Sequence, residues 1–238
     1  MNLIIDLTID ENINQILRQE NDKKKAEHKS SGKLSAGKLG EPLQWQILHT
    51  LGIEKTPIDD YTLRKFRRGS EIEDWLVKHI PSVVDTQKFL EYRQAIGFAD
   101  VIVDTSSYQN PVGVIPHEVK SVTNRKYAWI VKRETPDDHH CLQGALYALA
   151  MGTEHFAIDY VATDDLRVTS FLLKTEDFKE RIDNIIDLYQ KQLKKREIPV
   201  FEPLYKWQKN KIYNPYPEWA DLTVEEIKEK MKRLNISF

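Results

Sequence analysis

The residues of this chain best suited to chemistry are two acids and a lysine: Asp100 in Gly97-Phe98-Ala99-Asp100, and the pair in Glu118-Val119-Lys120. Residues 112–122 are rich in β-branched types and alternate as a strand with one polar face does. Side chains two apart in a strand share a face, so Glu118 and Lys120 point one way and Val119 the other. Residues 95–103 form a second apolar, β-prone stretch, in which an ionised Asp100 is expensive unless it is paired or binds a cation. Between the two stretches, residues 104–111 collect turn formers, and a hairpin there brings Asp100 beside Glu118. Adjacent carboxylates repel, and a hard divalent cation relieves that repulsion by taking oxygens from both. Such a site can polarise a phosphate oxygen and lower the pKa of bound water, with Lys120 orienting the water or stabilising developing negative charge. The chemistry expected is phosphodiester hydrolysis. The plainer alternative is an ion pair between Glu118 and Lys120 on an exposed strand, and an acid-x-Lys triplet by itself does not separate the two.

These groups need elements to hold them. Thr135-Pro136-Asp137-Asp138 predicts a helix with Thr135 at the N-cap, proline at the first position and acids in the first turn, running to a stop at Gly152. Gln143 and Tyr147, four apart, lie on one face of it, with His140 one turn earlier. A mostly apolar helix with that polar edge can pack on a sheet and present an amide and a phenol to a nucleic-acid strand.

Taken in order, Gly97-x-x-Asp100, Glu118-x-Lys120 and Gln143-x-x-x-Tyr147 resemble successive motifs of the PD-(D/E)XK nuclease superfamily, in its RecB-like branch, which includes CRISPR-associated exonucleases. Upstream, residues 66–75 resemble the first motif of that branch, an Arg-Gly pair followed about one helical turn later by a metal-contacting residue, here Glu73. The resemblance spans about residues 35–175. It implies a restriction-endonuclease-like core of the α/β (α+β) class, a central mixed β-sheet flanked by helices. It also implies that Asp100, Glu118, the Val119 carbonyl and Glu73 hold Mg²⁺ or Mn²⁺ and that Lys120 acts in catalysis. Gln143, Tyr147, Arg67, Arg68 and Ser121 are then the expected substrate contacts. Many members of the branch carry an iron-sulfur cluster on four cysteines; this chain has a single cysteine, Cys141, so none is expected. Aromatic and proline residues between Tyr205 and Trp219 are expected to close the C-terminal side by apolar packing instead.

At 238 residues, 40% hydrophobic and 30% charged, the chain suits one globular core with appendages, and it has neither a long apolar run nor a signal sequence. One cysteine excludes an intramolecular disulfide framework and fits a reducing, cytoplasmic setting. Zinc held by His139, His140 and Cys141 is a weak alternative, because successive helical residues diverge. The net charge of -2 disfavours DNA binding only on average. Arg64, Lys65, Arg67 and Arg68 cluster before Glu73, and Arg125, Lys126, Lys132 and Arg133 lie between the Lys120 strand and the Gln143 helix.

The organisation expected is a helix and link over 1–33, a nuclease core over 34–200 and a C-terminal segment over 201–238. Within it, helices are predicted near 36–51 and 60–80, from Thr175 to about Arg196, and after Thr223. Strands are predicted near 84–93, 95–103, 112–122, 155–163 and 167–174. Pro116, two residues before Glu118, removes a ladder hydrogen bond and calls for a bulge or a late strand start at His117, whose side chain faces away from the acids. The function expected is a metal-dependent deoxyribonuclease of the exonuclease or end-processing type, with single-stranded DNA or duplex ends as partner. A protein partner or self-association stays open, and no membrane is involved. The alternatives are a site- or structure-specific endonuclease of the same fold, a catalytically silent DNA-binding subunit, or an interaction protein.

Overall fold

Residues 83–104 fold into a hairpin because two β-prone stretches flank Arg93, which turns the chain in the left-handed region at φ 54°. Around it the computed structural model describes residues 8–27, 31–199 and 214–237. In chain order these form α1 (Thr8–Glu27), β1 (Leu34–Ser35), α2 (Leu43–Thr50), α3 (Asp60–Val77), β2 (Val83–Tyr92), β3 (Ala95–Asp104) and β4 (Val114–Val122). They continue with α4 (Asn124–Arg133), α5 (Asp138–Met151), β5 (His155–Ala162), β6 (Val168–Lys174), α6 (Glu176–Lys195) and α7 (Val224–Arg233).

The sheet is mixed. β2 pairs antiparallel with β3 along nearly its whole length, β4 runs antiparallel to β3 and parallel to β5, and β6 closes antiparallel on β5. Because β2 fills one edge of β3, the short β1 and β4 share the other edge. β1 takes Ala95 and Ile96, and β4 takes Val101 to Asp104. Residues 97–100, the stretch that carries Asp100, lie in the gap between them.

Helices cover both faces. The larger core packs α2, α5, α6 and α7 against Ala99, Ile102, Phe156, Ile158 and Tyr160. α6 faces it with Ile182, Ile186 and Tyr189, a stripe at helical spacing. α3 lies on the opposite face, where Ile72 and Leu76 meet Val101, Val103, Val119 and Val161. α1 rests on α3 largely through charge, with Arg64 bonded to Asp10 and Asn14, and Arg67 bridged to Glu20 at 3.6 Å. Tyr216 and Trp219 are buried in the larger core, as expected of the C-terminal aromatics. The others in that expectation, residues 205–213, lie outside the described residues, as do residues 28–30 of the link.

Several local expectations change. Pro42 separates a 3-10 turn at Ala36–Lys38 from α2, so the single helix predicted over 36–51 becomes two short pieces. Helix α5 begins at Asp138 with Asp137 in the cap position, and Thr135 and Pro136 belong to the preceding loop. Pro116 sits in regular register opposite Ile102 without a bulge. Toward β5 the ladder starts only at His117, so at Pro116 that side of β4 is still an edge. Helix α4 was not foreseen; Thr123 caps it and Tyr127 and Ile130 anchor it.

Candidate active site

β3 and β4 pair from Asp104 back to Val101 and then part, since β4 continues alongside β5. At the fork the Asp100 side chain replaces the missing ladder bond: Oδ2 accepts the Val119 N–H at 2.9 Å. On the other side of Asp100, Gln87 adopts φ 49°, and its amide donates to Oδ1 at 3.4 Å. A non-glycine residue held in the left-handed region opposite an acid is the kind of local strain that collects at functional sites.

Glu118 is 1% exposed. Its Oε1 accepts from the Lys120 ammonium, while its Oε2 is buried without a hydrogen-bond partner. The Glu118–Lys120 pair foreseen as a surface contact is therefore present but largely withdrawn from water, and Lys120 keeps partial access to solvent. Burial, with Asp100 and Glu73 adding to it, pushes the Glu118 carboxyl up to about 8 against the pull of Lys120. Glu73, half-buried on α3, is pushed to about 7 by burial first and by Asp100 second. Burial also raises Asp100, partly offset by Lys120 and the Val119 N–H. For Lys120, burial works downward, but Glu118, Asp100 and Glu73 together carry it above the ordinary lysine value.

These four groups thus form one electrostatic unit drawn from α3, β3 and β4. Three carboxyls that resist ionisation because they are buried beside one another, one with an oxygen that lacks a partner, are a donor set that suits a hard divalent cation. Oxygen donors of this kind favour Mg²⁺ or Mn²⁺ over softer metals.

Helix α5 closes the site from the larger core. Gly144 lets it approach β5, where an added Cβ would stand 2.7 Å from the Phe156 ring. Gly97 does the same on β3, leaving room for Tyr147 against the strand. Tyr147 is 2% exposed and its hydroxyl accepts from the Gln143 amide at 3.1 Å. Gln143 is half-buried, so of the two it is the residue with access to a bound strand. His140 does not share that edge; its Nδ1 bonds the Tyr160 hydroxyl at 2.8 Å, and burial drives its pKa down to about 2.

The other expected contacts are scattered. Ser121 faces α3, its Oγ 3.1 Å from where a Cβ on Gly69 would stand. Arg67 pairs with Glu71 at 2.9 Å. Arg68 is exposed and has no ion pair among the described residues. In the second basic cluster, Lys126 and Arg133 both reach Asp137 and stack on Trp129. Asp137, His139 and His140 offer ligand atoms within 4.8 Å of one another, a grouping near the zinc alternative. Cys141 lies apart from it as a buried core residue, its thiol raised to about 12 by burial. The grouping is a poor cation site, because Lys126 and Arg133 already neutralise Asp137. The buried pair His117–Asp159, joined at 2.8 Å across β4 and β5, leaves no signal in the sequence because nothing local links residues 42 apart.

No family model matches the chain, and no curated protein sequence matches it either. Among solved structures, an alkaline exonuclease from Laribacter hongkongensis aligns with a TM-score of 0.51 at 13% identity, over 70% of this chain and 90% of its own. Its complex with dAMP gives 0.52 at 11% identity, over 69% and 89%. A protein crystallised as SSO0001 gives 0.55 at 15% identity, over 91% of this chain and 98% of that one. At these identities the likeness is one of architecture. The chain has the restriction-endonuclease-like fold of the alkaline exonuclease, a central mixed sheet flanked by helices.

Proposed function

We propose that the protein is a metal-dependent deoxyribonuclease of the PD-(D/E)XK type, in its RecB-like branch, that hydrolyses DNA phosphodiester bonds from strand ends. The observation that carries this reading is the Glu118 carboxyl group, buried with one oxygen on Lys120 and the other unpartnered, beside Asp100 at the β3–β4 fork. A structural ion pair needs neither the second acid nor a third on α3. The fold shared with an exonuclease whose crystals bind dAMP supports the class of substrate, as an analogy.

In this reading Asp100, Glu118, the Val119 carbonyl and Glu73 hold Mg²⁺ or Mn²⁺. When bound, the cation supplies Lewis-acid polarisation of a phosphate oxygen and an acidified water. Asp100 has a second task, because its grip on the Val119 N–H fixes the backbone whose carbonyl is the remaining ligand. The Lys120 ammonium, held among the acids, stabilises the negative charge that grows on the phosphate as the bond breaks. Gln143 contacts the strand being cut, and buried Tyr147 holds its amide in place. Arg68 on α3 meets the phosphate backbone.

The test is cleavage of end-labelled single- and double-stranded DNA with Mg²⁺, Mn²⁺ or chelator, alongside Asp100→Ala and Lys120→Ala. Metal-dependent release of nucleotides from ends, lost in both variants, is the expected result. Cutting of closed circular DNA would move the function to an endonuclease, and undiminished activity in both variants would overturn the mechanism.

A further inference from the structure

Two large apolar rings stand in the open beside the acids. Phe89 and Phe98 are 51% and 55% exposed. They are cross-strand partners in the β2–β3 hairpin, with ring centroids 5.4 Å apart and planes at 61°, an edge-to-face pair. Ala99 is buried in the larger core, so Phe98 beside it projects to the other face, two residues or roughly 7 Å along the strand from Asp100, where the alternation slips and Val101 turns to that same face. On β2, Gln87, two residues before Phe89, reaches Asp100 with its amide. Among the described residues, α3 packs on this face against Val101, Val103, Val119 and Val161, and the two rings stay exposed.

We infer that Phe89 and Phe98 form a stacking platform for the unpaired bases of a DNA strand whose phosphate lies at the Asp100 fork. The occupant follows from continuity with the acids: a chain whose backbone reaches the carboxylates must set its bases down within one nucleotide's span of them, and the surface there is a pair of phenyl rings. Aromatic rings hold bases of any sequence, because every base has a π-face. Paired bases inside a duplex cannot offer that face, so the platform selects single strands or frayed ends over intact blunt duplex. This deepens the nuclease proposal and rests on it.

The probe is a single-stranded oligonucleotide carrying 2-aminopurine at one end, titrated with the protein in Ca²⁺ and then cleaved in Mg²⁺ or Mn²⁺. Wild-type protein is expected to quench the fluorophore. Phe98→Ala and Phe89→Ala each weaken single-strand binding by about tenfold, raise KM more than they lower kcat, and leave the thermal midpoint in place. Phe98→Trp retains the quench. The inference is overturned if the double variant binds single strands as wild type does. It is also overturned if light scattering shows a wild-type dimer that the double variant converts to monomer, since the rings would then serve self-association. If the quench depends on the rings but no metal supports cleavage, the nuclease reading fails and the platform stands; cleavage indifferent to the rings has the opposite meaning.

Discussion

Gly97→Ala tests how tightly α5 is fitted over the strand that carries Asp100. A Cβ at Gly97 would stand 2.7 Å from the Ala36 Cβ and 2.8 Å from both Cε1 and the hydroxyl of Tyr147. Carbon atoms prefer about 3.5–4.0 Å, so each contact is short by roughly 1 Å. Little there can yield: β3 is held by β2 on one edge, and Tyr147 and Ala36 are both buried in the core. Overpacking of this kind costs about 1–3 kcal/mol. For a chain of this size that lowers the thermal midpoint by roughly 3–10 °C, measured by circular dichroism. Two of the three contacts are with Tyr147, so in a Tyr147→Ala background the same substitution costs less, with a coupling of about 1 kcal/mol or more. Because Tyr147 holds Gln143, the single variant also loses DNA cleavage beyond what its stability explains. Equal midpoint shifts in the two backgrounds would mean that the added methyl does not strike Tyr147.

Other perturbations act on charge. The folded chain keeps Glu73 and Glu118 protonated up to about 7 and about 8, whereas an unfolded glutamate releases its proton near 4.5. The folded state then binds more protons between those values, so stability falls as pH rises through that window and Mg²⁺ restores part of it. Urea unfolding at about pH 5 and about pH 8.5, with and without the metal, measures this; stability that rises with pH would contradict it. His117→Ala leaves the buried Asp159 carboxylate without its imidazole and is expected to cost about 3–5 kcal/mol in the same assay. Replacing both residues with apolar ones costs far less, and equal losses would count against the buried pair. Arg68→Ala is expected to reduce the salt slope of DNA binding by about one counterion, with Arg64→Ala doing less because Asp10 and Asn14 hold that guanidinium; identical slopes would remove Arg68 from the phosphate contacts.

Much of the site was legible in the sequence because its members lie on regular elements. Alternation along 112–122 put Glu118 and Lys120 on one face, and helical spacing joined Gln143 to Tyr147. The fork was not legible, since it arises where β4 leaves β3 to run beside β5 while the two-residue β1 takes only Ala95 and Ile96, so residues 97–100 have no strand partner on that edge. Helix α4 carried its signals, a Thr123 cap and Tyr127 with Ile130 at helical spacing, but a stretch crowded with cations reads as a loop. The N-terminus of α5 shows how a local rule yields to context. Thr135-Pro136 is a good helix start, yet the Asp137 N–H is tied to the Tyr160 hydroxyl and its side chain to Lys126, so the helix begins after it. Glu73 was placed by order alone; its coupling to Asp100 depends on how α3 crosses the sheet.

Anomalous scattering from crystals grown or soaked with Mn²⁺ locates the cation itself. The expected result is a peak among the carboxylates of Asp100 and Glu118 and the carbonyl of Val119, with Lys120 displaced from Glu118 and the peak lost in Asp100→Asn. A peak only at Asp137, His139 and His140, or none at the β3–β4 fork at saturating Mn²⁺, would contradict it.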